Sequence, residues 1–176
     1  IFLFLFLPLV LLSYYAIPRF CAKYSSVRLS FLVCSSLFFY GWWYPPYLMI
    51  LISSILFNYW ILVVFQNTKK EFLCIFAVFF NLGLLFYFKY FNFFIENMSY
   101  VTGAELIVEP ILLPLAISFF TFQQIAYVMD VKRGLIGEYS FRQYCMFVTF
   151  FPQLIAGPIV HHSQIVPQFA DAFKKG

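Results

Sequence analysis

Residues 113–124 read Leu113-Pro114-Leu115-Ala116-Ile117-Ser118-Phe119-Phe120-Thr121-Phe122-Gln123-Gln124, and residues 150–160 read Phe150-Phe151-Pro152-Gln153-Leu154-Ile155-Ala156-Gly157-Pro158-Ile159-Val160. Both stretches are apolar enough to enter a bilayer. Both also carry proline, glycine, glutamine or hydroxyl groups that a plain membrane anchor does not need. The chain around them is 64% hydrophobic, 24% aromatic and 10% charged. A soluble domain is roughly 45–50% apolar and about 25% charged. A soluble fold of 176 residues has too much surface for its volume to hide this much apolar area, so lipid must be the solvent for much of it. The apolar runs are continuous and longer than the ~10-residue alternating segments of a transmembrane barrel. The expected class is all-α, a polytopic bundle of transmembrane helices.

Outward from these stretches, five spans are expected, over residues 1–17, 29–44, 47–65, 72–90 and 111–129. Pro8 is tolerable inside the first, because membrane helices accommodate proline. Gly41-Trp42-Trp43-Tyr44 suits a headgroup interface, and Pro45-Pro46 ends the second span. Residues 91–95 either extend the fourth span or lie flat at the interface. Residues 141–156 form a sixth apolar segment of 16 residues, short of the ~20 that a span needs. It starts beside Arg142, is broken by Pro152, Gly157 and Pro158, and fits a re-entrant segment at least as well as a span. Irregular backbone at membrane depth survives only against protein or a water-filled cavity. Residues 1–176 thus read as one multi-span domain. Beginning inside an apolar run and ending at Lys174-Lys175-Gly176, it is expected to be the N-terminal part of a longer chain.

The net charge of +4 is no nucleic-acid footprint, because the basic residues sit in short clusters between apolar runs. Connector 18–28 carries Arg19, Lys23 and Arg28, connector 66–71 carries Lys69 and Lys70, and connector 130–139 carries Lys132 and Arg133. The intervening connectors have none, and 96–110 carries Glu96, Glu105 and Glu109. This alternation follows the positive-inside rule. It places the N-terminus outside and connectors 18–28, 66–71 and 130–139 in the cytoplasm. Cys21, Cys34, Cys74 and Cys145 lack metal-ligand spacing and are expected as buried thiols.

Within 111–129, Ser118, Thr121 and Gln124 recur at helical spacing, with Pro114 four residues before Ser118 and Gln123 beside that face. Such groups serve as hydrogen-bonding glue between membrane helices or as the polar wall of a channel, and spacing alone leans to the first. Asp130 is expected at a solvated helix end. His161 and His162 are the two histidines. Adjacent positions diverge on a helix, so one metal cannot readily use both, and no metal site is expected. A general-base role is conceivable, but no nucleophile or orienting carboxylate stands near them in sequence. Nucleotide-binding and hydrolase signatures are absent from the sequence.

The run Leu113 to Gln123, then Tyr127, Asp130-Val131 and Arg133-Gly134, then Phe150 to Val160 and Pro167-Gln168-Phe169 resembles the membrane-bound O-acyltransferase family, in its bacterial alginate O-acetylation branch. Phe39-Tyr40-Gly41-Trp42 and Phe86-Tyr87-Phe88-Lys89-Tyr90 are similar to the same branch. The resemblance implies a bacterial inner-membrane protein. It passes an acyl group, acetyl above all, from a donor such as acetyl-CoA to hydroxyls of an extracytoplasmic polysaccharide, directly or through a partner acyltransferase. No bound cofactor is implied, and the partners are lipid, acyl donor and envelope glycan. The family's catalytic histidine lies in a Trp-His-Gly-like context downstream, so the resemblance makes neither His161 nor His162 catalytic and leaves this piece inactive alone. Members often have arginine at the position of His161. Ser118, Thr121, Gln123 and Gln153 remain as candidate channel-lining or substrate contacts, with Pro152, Gly157 and Pro158 as a structural break. From the residues alone, a transporter or lipid-handling channel with a broken intramembrane helix, or a non-catalytic membrane scaffold, fits as well.

Overall fold

The computed structural model describes residues 2–17, 22–103, 108–109, 111–136, 140–150 and 152. Among the described residues every regular element is helical. A π-helical turn, Phe2–Phe6, leads into α1 (Leu7–Ala16). Then come α2 (Ala22–Trp43), α3 (Pro45–Thr68) and α4 (Phe72–Leu85). A second π turn, Phe86–Tyr90, joins α4 to α5 (Phe91–Thr102). The last two are α6 (Ile117–Lys132) and α7 (Phe141–Thr149).

Helices cover the second and third expected spans: α3 matches 47–65 with small changes of boundary, and α2 contains 29–43 but begins at Ala22. α3 begins on Pro45-Pro46 after an extended Tyr44. Proline is at home in the first helical turn, where its missing N–H would have had no partner. The helix stops where Lys69 turns left-handed and its N–H donates to the Phe65 carbonyl, 2.7 Å away. Two helices are long and apolar enough to cross a bilayer, Pro45–Thr68 and the continuous Phe72–Thr102.

Four expected boundaries are corrected. The connector 18–28 is helical from Ala22 onward. Arg28 lies within α2, buried, donating to the Ile17 carbonyl at the end of α1 and stacked over the Tyr14 ring at 5.3 Å. That carbonyl and ring offset the loss of water around the guanidinium. The fourth span continues past 90, as one of the two readings of 91–95 had it, and runs beyond 95 as well: the π turn carries the helix to Thr102, where Gly103 takes the left-handed conformation that ends it. At 31 residues this helix is about 46 Å long at 1.5 Å per residue. The fifth span begins only at Ile117, since residues 111–116 are not helical. Pro114 therefore does not share a helical face with Ser118. The sixth segment is helical over Phe141–Thr149. It opens on a capping box in which the Ser140 hydroxyl accepts from the Gln143 N–H and the Gln143 side chain accepts from the Ser140 N–H. Whether the remainder crosses or turns back lies outside the described residues, as do Gln153, Gly157, Pro158, His161 and His162.

α6 is the axis of the bundle. It packs on α4, α3 and α7, while α2 touches α1, α3 and α7. Its Ile117, Phe120, Tyr127, Val128 and Val131 join Leu51, Ile55 and Ile61 of α3 and Tyr144, Phe147 and Val148 of α7 in one core. The outer surface is apolar too: Leu12, Trp60, Phe79 and Phe93 are all more than half exposed. Such a surface is stable against hydrocarbon and not against water. This is a membrane protein. Cys74 and Cys145 are buried as expected, whereas Cys34 on α2 is exposed.

One end of the bundle gathers the α3–α4 turn and the C-terminal end of α6, where Lys132 Nζ lies 2.9 Å from Glu71 Oε2. The opposite end gathers the α2–α3 junction, segment 111–116 and α5, through hydrogen bonds described below. The expectation of a solvated Asp130 fails, because α6 runs on to Lys132 and holds Asp130 inside the packed bundle.

Candidate functional site

The α3, α4, α6 and α7 helices converge on a buried cluster of neutral polar side chains. Asn58 and Asn81 face each other and exchange amide hydrogen bonds, Asn81 Nδ2 donating to Asn58 Oδ1 at 2.7 Å and Asn58 Nδ2 to Asn81 Oδ1 at 3.3 Å. Asn58 Nδ2 also donates to Gln124 Oε1 at 2.6 Å. Gln124 Nε2 donates to Ser54 Oγ at 3.1 Å, and Tyr144 Oη donates to Gln124 Oε1 at 3.2 Å. All five side chains are buried. Helical spacing explains how α3 supplies two of them, since Ser54 and Asn58 are four apart and share a face. Gln124 is the hub, reached from three directions. Each interhelical hydrogen bond of this kind contributes ~0.6–2 kcal/mol in a membrane, and here they fix the rotation of four helices about one point.

Of the candidate contacts from the sequence, three fall on α6. Thr121 is buried, and its hydroxyl donates back to the Ile117 carbonyl at 2.7 Å, so its proton is taken within its own helix. Ser118 is half-buried. Gln123 is 1% exposed, and neither its Nε2 nor its Oε1 has a hydrogen-bond partner. It lies one turn before Tyr127 on the same face. The Tyr127 ring packs against Tyr144 at 4.7 Å and Phe147 at 5.8 Å, so this face of α6 looks toward α7. Pro152 is half-buried and helical.

Residues 111–116, just ahead of α6, are clamped by side chains from three other helices. Asn92 grips Ile111 from both sides: its Nδ2 donates to the Ile111 carbonyl at 2.9 Å and its Oδ1 accepts from the Ile111 N–H at 3.1 Å. Tyr47 Oη donates to the Leu112 carbonyl at 2.8 Å and Tyr40 Oη to the Leu115 carbonyl at 2.9 Å. The segment ends at Ala116 in the left-handed conformation, φ 55°. Non-helical backbone in a membrane protein needs such partners, because lipid offers none.

Sequence reasoning did not single out Asn58, Asn81, Ser54 or Tyr144. The signal was present: asparagine in the middle of an apolar span is costly unless paired, and is a site candidate by default. The cluster holds no carboxylate, imidazole or amine; its one titratable group is the Tyr144 phenol, whose hydroxyl is engaged with Gln124, so the arrangement is one that orients and binds. Among the described residues no group of three or more His, Cys, Asp or Glu could hold a metal ion.

No family model and no solved structure matches the chain. Curated relatives do. The chain is 38% identical over 200 residues to the peptidoglycan O-acetyltransferase of Helicobacter pylori, covering 97% of the chain and 38% of that protein. It is 37% identical over 180 residues to the probable alginate O-acetylase AlgI of Azotobacter vinelandii, covering 96% and 35%. It is 34% identical over 180 residues to the probable alginate O-acetylase AlgI of Pseudomonas aeruginosa, covering 96% and 33%. The chain spans little more than a third of the length of the curated relatives it matches.

Proposed function

We infer, for a chain homologous to the membrane-bound O-acyltransferases of the alginate O-acetylation type, that it forms the scaffold and one wall of a site where an acetyl group passes to hydroxyls of an envelope polysaccharide. The observation that carries this is the identity along 96–97% of the chain to relatives named for O-acetyl transfer to peptidoglycan or alginate. The transfer forms one ester C–O bond on the acceptor hydroxyl and breaks the acyl bond of the donor, a thioester such as acetyl-CoA. The hydroxyl proton goes to a base, and donors hold the developing oxyanion. By family likeness that base is a histidine downstream of this chain. The described residues contribute orientation: the Gln124-centred cluster sets α6 and α7 against each other, and the clamp on 111–116 sets where α6 begins.

The candidate substrate contacts are Ser118, Thr121 and Gln123 on α6 and, later in the sequence, Gln153. The protein lies in the bacterial inner membrane with its N-terminus outside, and residues 66–71 and 130–139 face the cytoplasm. Alanine at Ser118, Thr121, Gln123 and Gln153 together in the intact protein is expected to lower acetyl transfer by about tenfold or more, the factor for ~1.4 kcal/mol of lost polar contact, at unchanged protein level. Unchanged transfer would remove these residues from the site.

A further inference from the structure

Among the described residues, the Gln123 carboxamide is the one buried side chain with neither its donor nor its acceptor paired; the Arg28 guanidinium leaves only Nε without a partner and donates through Nη2. Gln124, the immediate neighbour of Gln123, is fully engaged. Thr121, Asn58 and Asn81 each find an acceptor in their own helix. Gln123 is as well buried as these, yet both its donor and its acceptor are unpaired. An unpaired buried polar atom is costly, and native folds rarely keep one without a reason. A leucine or methionine would fill the position without that cost. We propose that the Gln123 carboxamide is a substrate-binding group that hydrogen-bonds a secondary amide of the acyl donor as the donor enters between α6 and α7.

This rests on the acyl-transfer reading and adds to it the ligand group that Gln123 takes. The chemistry narrows the choice of ligand. Gln123 offers an N–H and a carbonyl from one planar group, and a secondary amide offers the matching carbonyl and N–H. The surroundings are apolar: Phe120 lies one turn before it on α6, and the facing α7 presents Tyr144 and Phe147 to Tyr127. A glycan pressed into that setting would leave many hydroxyls unpaired, at a desolvation cost for each. A slender chain bearing one or two amides, as in the pantetheine arm of a thioester donor, leaves none. Gln123 is 1% exposed in this conformation, so its surroundings, α7 among them, must part for the donor to reach it.

The test uses the intact protein in detergent, with Gln123→Met, which keeps the length of the side chain and removes both polar atoms. Three quantities are measured: the melting temperature without ligand, its shift on titration with acetyl-CoA, and kcat and KM for acetyl transfer to alginate or isolated peptidoglycan. Expected are a melting temperature at or above that of the wild type, an acetyl-CoA affinity weakened about tenfold, and a matching rise in KM for the donor with kcat little changed, the pattern of a lost binding contact. Affinity and KM within twofold of wild type overturn the inference and leave the acyl-transfer reading standing. A lower melting temperature without ligand also overturns it, because the carboxamide is then paired inside the protein, for instance by a buried water. A wild type that binds acetyl-CoA but transfers nothing overturns the acyl-transfer reading, and the acetyl-CoA titration alone then decides the role of Gln123. A wild type that acetyl-CoA neither stabilises nor serves as donor overturns both.

Discussion

At the scale of single residues, Gln124 and the facing Asn58 and Asn81 decide how the interior is held. Removing one partner leaves another buried group unpaired, which costs about 1–3 kcal/mol. Removing a mutually bonded pair costs less than the sum. Gln124→Leu strands the Tyr144 hydroxyl and removes the shortest of the Asn58 Nδ2 contacts at once, and we expect it to lower the melting temperature in detergent more than Ser54→Ala does. Asn58→Leu and Asn81→Leu are each expected to destabilise by about 1–2 kcal/mol, and the double variant by clearly less than their sum. Strict additivity in denaturant unfolding would show that the two amides do not pair. The residue types here are readable in part. Thr121, Gln123 and Gln124 stand out against the apolar run on α6. Asn58 and Asn81 sit alone in spans that otherwise read as plain anchor, and only the packing of α3 on α4 shows that they meet.

At the scale of elements, hydropathy locates the interior of each span and misplaces several of its ends. α3 matches its expected range closely because a proline pair and two lysines punctuate it. The start of α6 does not. Residues 111–116 are as apolar as a helix, and what holds them out of one is hydrogen bonding to Asn92, Tyr47 and Tyr40, which a hydropathy pattern cannot register. Leu113-Pro114 does carry a local warning, since proline biases its predecessor away from the helical region. Likewise α4 and α5 merge because a π turn continues the backbone through a stretch whose polarity suggests a stop. The clamp makes a prediction of its own. Tyr40→Phe and Tyr47→Phe each remove one hydrogen bond and keep the ring, at a cost of ~1 kcal/mol. The double variant should be cleaved faster by protease between 103 and 117 in detergent, with the rest of the bundle intact. Equal cleavage of wild type and double variant would show that the hydroxyls do not hold this segment.

At the scale of the whole molecule, the bundle has two chemically different ends. Lys69, Lys70, Lys132 and Arg133 lie toward one, where Lys132 bridges to Glu71. The other bears the tyrosine clamp on Leu112 and Leu115, and Glu109 stands shortly before that clamp in sequence. Single cysteines at Lys70 and Arg133, in an otherwise cysteine-free protein, are expected to react with a membrane-impermeant maleimide only in inverted vesicles, and a cysteine at Glu109 only in intact cells. Labelling of Lys70 and Arg133 from opposite sides would contradict the shared end. The shared end of Lys69, Lys70, Lys132 and Arg133 is suggested in the amino-acid sequence by their place in alternate connectors. The order of the chain also bears on the segment ahead of α6. Tyr40, Tyr47 and Asn92 are all translated before Ile111. By the time residues 111–116 leave the ribosome, the side chains that clamp Ile111, Leu112 and Leu115 have already been made. α6 is thus threaded into a berth that the earlier helices have furnished, and a ribosome-nascent chain stopped soon after residue 103 would hold that berth empty.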